Sequence, residues 1–234
     1  HIDKEQRRPD WTQYPSVRET LIKWKMLPPD AARTDVAKLG VQISKSSLAD
    51  GNPTDGIVHH LERVPADLLV LATHQRHGLD RWLHSSIAGQ INNRTDGATL
   101  FIPFGSRGFV SEATGECQLK RILVPVDLDP DSSPAVEVTT DLIRALSDGP
   151  CEVRLLHVGD AAAQPALRLP NEDKVKWKWV NRSGSAVTAI LEESQTESVD
   201  LIVMTTSGRH GFFDALRGST TEQVVEHARC PVMA

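Results

Sequence analysis

The feature that most constrains this chain is an internal repeat, in which position n resembles position n + 133 without a gap. Ala66-Asp67-Leu68-Leu69-Val70-Leu71 lies over Val199-Asp200-Leu201-Ile202-Val203-Met204, and Arg76-His77-Gly78 lies over Arg209-His210-Gly211. Ser86 matches Ser219 and Gln90 matches Gln223, while upstream Ile57 falls on Ile190 and Gly51 on Gly184. Solenoid repeats run about 20 to 50 residues, so a period this long reads as a duplicated domain. The 234 residues suffice for two domains of about 100 to 150 residues each.

The second copy has the pattern of a complete α/β unit. Arg121 to Val126 is a short apolar run suited to a buried parallel strand. A turn follows from Asp127 to Ser133, and Pro134 opens a predicted helix to about Leu146. Val153 to Val158 reads as the next strand, and Gly159 to Asp173 as a loop or short helix. Val175, Trp177 and Trp179 alternate with Lys174, Lys176 and Lys178, the pattern of an edge strand guarded by lysines. A helix over Ala186 to Thr196, a strand over Asp200 to Met204, a helix over Thr220 to His227 and a strand over Cys230 to Met233 complete the unit.

The first copy lacks the front of this pattern. His1-Ile2 corresponds to His157-Val158, so nothing matches the Ile122 to Asp127 strand or its helix. The expectation is a native polypeptide with further N-terminal sequence. Residues 11–40 are extra relative to the second copy and predict helices around Ser16 to Trp24 and Ala31 to Leu39. The Gly-rich, polar stretch from Phe104 to Gln118 reads as a linker. The expected organisation is a first domain over 1–103, a linker over 104–118 and a second domain over 119–234.

Composition narrows the class. Hydrophobic residues at 39% and charged residues at 24% are ordinary for a globular protein. No apolar run approaches the ~18 to 20 residues that cross a bilayer, and the charged opening, His1-Ile2-Asp3-Lys4-Glu5, has no signal core. Cys117, Cys151 and Cys230 match no metal spacing, so a reduced, cytoplasmic setting is expected. A formal charge of -5 argues against a nucleic-acid binder.

The chemistry concentrates in the turn Thr205-Thr206-Ser207-Gly208-Arg209-His210-Gly211, followed by Gly218-Ser219-Thr220 at a helix start. Glycines admit close backbone approach to a ligand, and successive N–H groups with a helix N-terminus attract anions. Ser219 and Thr220 add hydroxyl donors. Such a cradle lies on the carboxyl side of a parallel strand, where open α/β sheets bind ligands. Asp127 ends the first strand at the same edge, placed to accept from ribose hydroxyls or help hold a divalent metal. Turn glycines with an N-cap serine explain the same residues without a ligand.

These residues resemble the universal stress protein family, with its strand ending in Asp, Gly-x2-Gly-x9-Gly-Ser/Thr signature and Cys-Pro-Val-like last strand. The second copy carries Ile122 to Asp127, Gly208 and Gly218-Ser219 with nine residues between, and Cys230-Pro231-Val232, but has Thr205 at the first glycine. The resemblance implies two tandem Rossmann-like α/β domains, each with an open five-stranded parallel sheet, the first incomplete at its N-terminus. It also implies ATP, with or without Mg²⁺, held by Val126, Asp127, Val158, Gly208, Gly218, Ser219 and Thr220. In the first copy the signature positions hold Ala72, Gln75 and Ser85, followed by Ser86, so no phosphate cradle is expected there.

No catalytic constellation or metal site is readable. His74, His77 and His84, and the pair His59-His60, read as loop and helix-surface residues, and Arg209 and His210 as exposed loop residues. Three functions stay open. The first is a cytoplasmic stress-response regulator that binds adenine nucleotide in its second domain and orders the Gly208–Gly218 loop. The second is an interaction protein without nucleotide, working through dimerisation and protein partners. The third is a slow ATP-hydrolysing enzyme. For assembly, the last strands of the copies, Thr99 to Ile102 and Cys230 to Met233, are expected to pair within the chain, and whole chains to associate further.

Overall fold

The computed structural model describes residues 10–46, 53–73, 98–206 and 220–234. A short 3₁₀ turn at Trp11–Gln13 leads into α1 (Val17–Lys23), whose N-cap Ser16 accepts from the Glu19 N–H at 3.4 Å. Next come α2 (Arg33–Lys38), α3 (Pro53–Arg63), β1 (Leu68–Thr73) and β2 (Ala98–Pro103). The second copy supplies β3 (Arg121–Pro125), α4 (Ser133–Leu146), β4 (Cys151–Val158), β5 (Val175–Arg182) and α5 (Ala186–Thr196). It ends with β6 (Leu201–Val203), α6 (Thr220–His227) and β7 (Val232–Met233). No helix among the described residues is long and apolar enough to cross a membrane.

The seven strands among the described residues form one sheet in the order β1-β2-β7-β6-β3-β4-β5. The five strands of the second copy run parallel, as do β1 and β2. The two sets meet antiparallel at β2 and β7, where Leu100 pairs with Met233 and Phe101 with Val232. This is the junction expected of the last strands, and both copies thereby share a continuous sheet. Phe101 joins the core on one sheet face and Leu100 the core on the other.

Three layers follow from the apolar pattern. Leu123, Leu156, Ile202 and Val232 point to one face, where Ala189 and Ile190 of α5 and Val224 and Val225 of α6 cover them. Ile122, Val124, Val153, Leu155, Leu201 and Val203 point to the other and meet Ala135, Val136 and Ile143 of α4. Side chains buried on both faces are why these strands read as unbroken apolar runs. Each fully buried Leu, Ile or Val contributes about 1.5–3 kcal/mol. Asp200 fixes the start of β3 beside β6, because its Oδ2 accepts from the Lys120 and Arg121 N–H groups at 2.8 and 2.9 Å. At the far edge, β5 exposes Lys176 and Lys178, as the alternation predicts.

A charged network lies beneath α5. Arg154 on β4 donates to Glu193 Oε1 through Nε at 2.9 Å and NH2 at 2.6 Å, while Arg182 donates to Glu193 Oε2 at 2.6 Å. Both Arg154 and Glu193 are buried, and Glu152 and Glu197 add further pairs to Arg154. The linker also has structure of its own. Val110 and Cys117 form an antiparallel bridge, and Trp24 Nε1 donates to the Glu112 carbonyl at 3.0 Å. The Trp24 ring covers Gly115, which has φ +77° and would place a Cβ 2.5 Å from that ring. Only glycine fits there.

Candidate functional site

The carboxyl ends of the second copy's parallel strands surround a cavity of about 240 Å³. One half is apolar. Val126, Leu156, Val158 and Met204 come from the ends of β3, β4 and β6, and Ala186 and Ile190 from one face of α5. The other half is polar, with Asp127 and Asp129 in the turn after β3, Thr205 and Thr206 after β6, and Thr220 and Thr221 opening α6. An apolar half beside hydroxyls and carboxylates suits a ligand with an aromatic ring and a polar, hydroxyl-bearing arm.

Local hydrogen bonds hold the walls. Ser132 is buried; its hydroxyl accepts from the Asp127 N–H at 3.0 Å and donates to the Asp127 carbonyl at 3.1 Å. That double contact pins the turn and places Asp127 at the rim, exposed, with Oδ1 accepting from the Leu128 N–H at 2.7 Å. Asp131 accepts from the Ser133 N–H and hydroxyl, and this bonding holds its carboxyl below the usual range. Val126 is buried, and its N–H donates to the Leu156 carbonyl at 2.9 Å. The buried His157 ring places Nδ1 3.3 Å from the Val126 carbonyl and Nε2 3.2 Å from the Asp160 carbonyl. It thereby ties the tip of β3 to the chain leaving β4. Gly159, at φ +150°, passes so near that an added Cβ would meet His157 Nε2 at 3.3 Å.

Of the site residues expected from sequence, Val126, Asp127, Val158 and Thr220 line this cavity together. Gly208, Gly218 and Ser219 lie outside the described residues, as do His74, His77, His84, Arg209, His210, Gln75, Ser85 and Ser86. Ala72 sits exposed on β1. Sequence reasoning missed Ser132 and His157 as wall-setting residues and the α5 face of Ala186 and Ile190. Their four-residue spacing on a predicted helix was a usable signal; the reach of His157 across two strands had none. Thr205, noted in the sequence as a departure, lines the cavity, and its hydroxyl is buried with no hydrogen-bond partner.

The model of the universal stress protein family matches residues 6–103 and 160–234. The chain belongs to the universal stress protein family. A universal stress protein from Methanocaldococcus jannaschii is 27% identical over 139 residues, 59% of this chain and 76% of that protein. Two solved structures share the fold across nearly the whole chain. A universal stress protein from Archaeoglobus fulgidus has a TM-score of 0.57 at 16% identity, covering 93% of this chain and 77% of that one. A putative universal stress protein from Pseudomonas aeruginosa has a TM-score of 0.58 at 13% identity, covering 97% and 79%. The family match on both sides of the linker agrees with the internal repeat, and the Rossmann-like α/β fold with the sheet described above.

Proposed function

We propose that this universal stress protein binds an adenine nucleotide in the second-copy cavity and acts as a nucleotide-responsive regulator in the cytoplasmic stress response. The carrying observation is the cavity itself, apolar where β3, β4 and α5 converge and polar towards the start of α6. The base fits between Val126, Val158 and Ile190, the ribose reaches Asp127, and the phosphates extend towards Thr220 and the Gly208, Gly218 and Ser219 positions read from the sequence. The α6 dipole, positive towards Thr220, favours the anion there. Mg²⁺ carried by a nucleotide would find its protein ligands at Asp127 and Asp129. Binding, more than turnover, is the role this lining supports, because Asp127 and Asp129 are the only titratable groups among its described residues.

Titration calorimetry and thermal melting with ATP, ADP and AMP test the proposal. Saturable binding near one nucleotide per chain is expected, abolished both by Ala186→Trp, which fills the apolar half, and by Gly218→Asp, which sets a carboxylate against phosphate. Circular dichroism of both variants should match the wild type. Absence of binding at millimolar nucleotide, or unchanged affinity in Ala186→Trp, refutes it and turns attention to protein partners.

A further inference from the structure

One buried, ionisable ring stands behind the apolar half of the cavity. His157 is 4% exposed at the end of β4. Its Nδ1 lies 3.3 Å from the Val126 carbonyl oxygen and its Nε2 3.2 Å from that of Asp160. A carbonyl oxygen only accepts, so each of these contacts calls for an N–H on the ring. Neutral imidazole carries one N–H and imidazolium carries two. The neutral ring therefore turns a lone pair towards one of the carbonyls, whereas the charged ring donates to both.

Both carbonyls belong to chain that shapes the site. Val126 lines the cavity at the tip of β3, and Asp160 lies two residues beyond Val158, which lines it from β4. Gly159 lets the chain turn back over the ring, since a Cβ there would meet Nε2 at 3.3 Å. The two bonds together clamp the β3 tip to the segment behind Val158, and losing either one loosens a wall of the apolar half. Among the described residues, the charged groups on the elements around the ring are Asp127, Asp129 and Asp131 after β3, Glu137 on α4, Asp160 and Arg168 after β4, and Arg182 on β5. All are solvent-exposed, so water screens them and the two carbonyls remain the ring's direct partners.

We propose that His157 is a positioning residue whose protonation tightens the adenine side of the site, so that affinity rises as pH falls; the inference rests on the nucleotide reading. With imidazolium donating to both carbonyls, Val126 and Val158 are held at the spacing that grips the base. As pH rises and the ring gives up a proton, one bond is lost and the grip weakens.

Adenosine is the ligand for the test, because it lacks a phosphate that would itself titrate. Calorimetry compares about pH 6 with about pH 8, across the range in which imidazoles change charge. The wild type should bind adenosine about fivefold more tightly at the lower pH, the worth of one hydrogen bond. His157→Gln, which keeps a donor and cannot ionise, should bind equally at both. By reciprocity, saturating adenosine should raise the midpoint of the His157 titration by about 0.7 in pH, followed by ring-nitrogen NMR of the wild type. A merely structural role would leave that midpoint unmoved. The NMR measurement needs no substitution, so it decides the matter even where His157→Gln fails to fold. Equal wild-type affinity at both pH values, a pH dependence that survives in His157→Gln, or an unmoved midpoint overturns the inference and leaves nucleotide binding standing. Binding of AMP without any binding of adenosine overturns it too, because the adenine side then contributes no affinity to tighten. If neither adenosine nor AMP binds the wild type at either pH, the nucleotide reading fails and this one with it.

Discussion

β1 and β6 are the same strand written twice, yet they live in different surroundings. Leu201 and Val203 of β6 are 0% and 2% exposed, whereas their equivalents Leu68 and Val70 on β1 are 45% and 51% exposed. β6 lies between β3 and β7 with helices over both faces; among the described residues, β1 ends the sheet with β2 as its one strand neighbour. The acidic residue before each strand follows suit. Asp200 accepts from two backbone N–H groups of the β3 segment, while Asp67 is exposed and has no partner among the described residues. An apolar run therefore specifies a strand suited to burial, and the neighbours it finds decide how much burial is realised. The ligand cavity follows the same rule, because its walls are the tips of β3 and β4, and neither has a counterpart beside β1 among the described residues.

The sharpest way to break this contrast is to remove the buried charge pairing beneath α5, which has no buried counterpart among the first copy's described residues. Glu193→Ala should take from the Arg154 guanidinium its fully buried partner, leaving the half-buried Glu152 and Glu197, and cost about 3 kcal/mol in urea unfolding. Its first-copy equivalent, His60→Ala on α3, should stay within about 0.5 kcal/mol. Equal losses would mean that the two copies are equivalent folding units. Next in size is the paired strand substitution. Leu201→Ala should cost about 2–5 kcal/mol and Leu68→Ala less than about 1 kcal/mol by the same measurement. Comparable costs would show that Leu68 is covered in solution.

A smaller effect concerns the cysteines and pH. Burial pushes the Cys151 and Cys230 thiols up to about 12 from an ordinary 9. In the unfolded chain these thiols ionise first, so their contribution to stability is intact below about pH 9 and declines as pH rises towards 12. Thiol-specific labelling at pH 8 should modify the half-buried Cys117 before either of them. Fast labelling of Cys230 in the native protein would contradict the close packing around β7.

Much of the second copy was legible because its signals are local and periodic. The α5 helix, the His227 end of α6 and the lysine-guarded β5 edge all appear where periodicity places them. The pairing of β2 with β7 was also readable, from the repeat together with two apolar terminal strands. What stayed hidden depends on chain segments that meet only after folding. Arg154 and Glu193 stand 39 residues apart and meet because α5 packs on the β4 face. The Ser132 lock on Asp127 needs the turn closed, and the His157 bridge needs β3 and β4 in register. Likewise, a Gly-rich linker gave no hint that Trp24 covers Gly115.

The most direct test of a single site in the second copy is amide hydrogen exchange with and without saturating AMP. Protection should rise at residues 125–132, 156–159, 186–190 and 220–221, while 68–73 and 98–103 remain unchanged. Protection confined to the first-copy strands, or shared equally by both copies, would contradict the account.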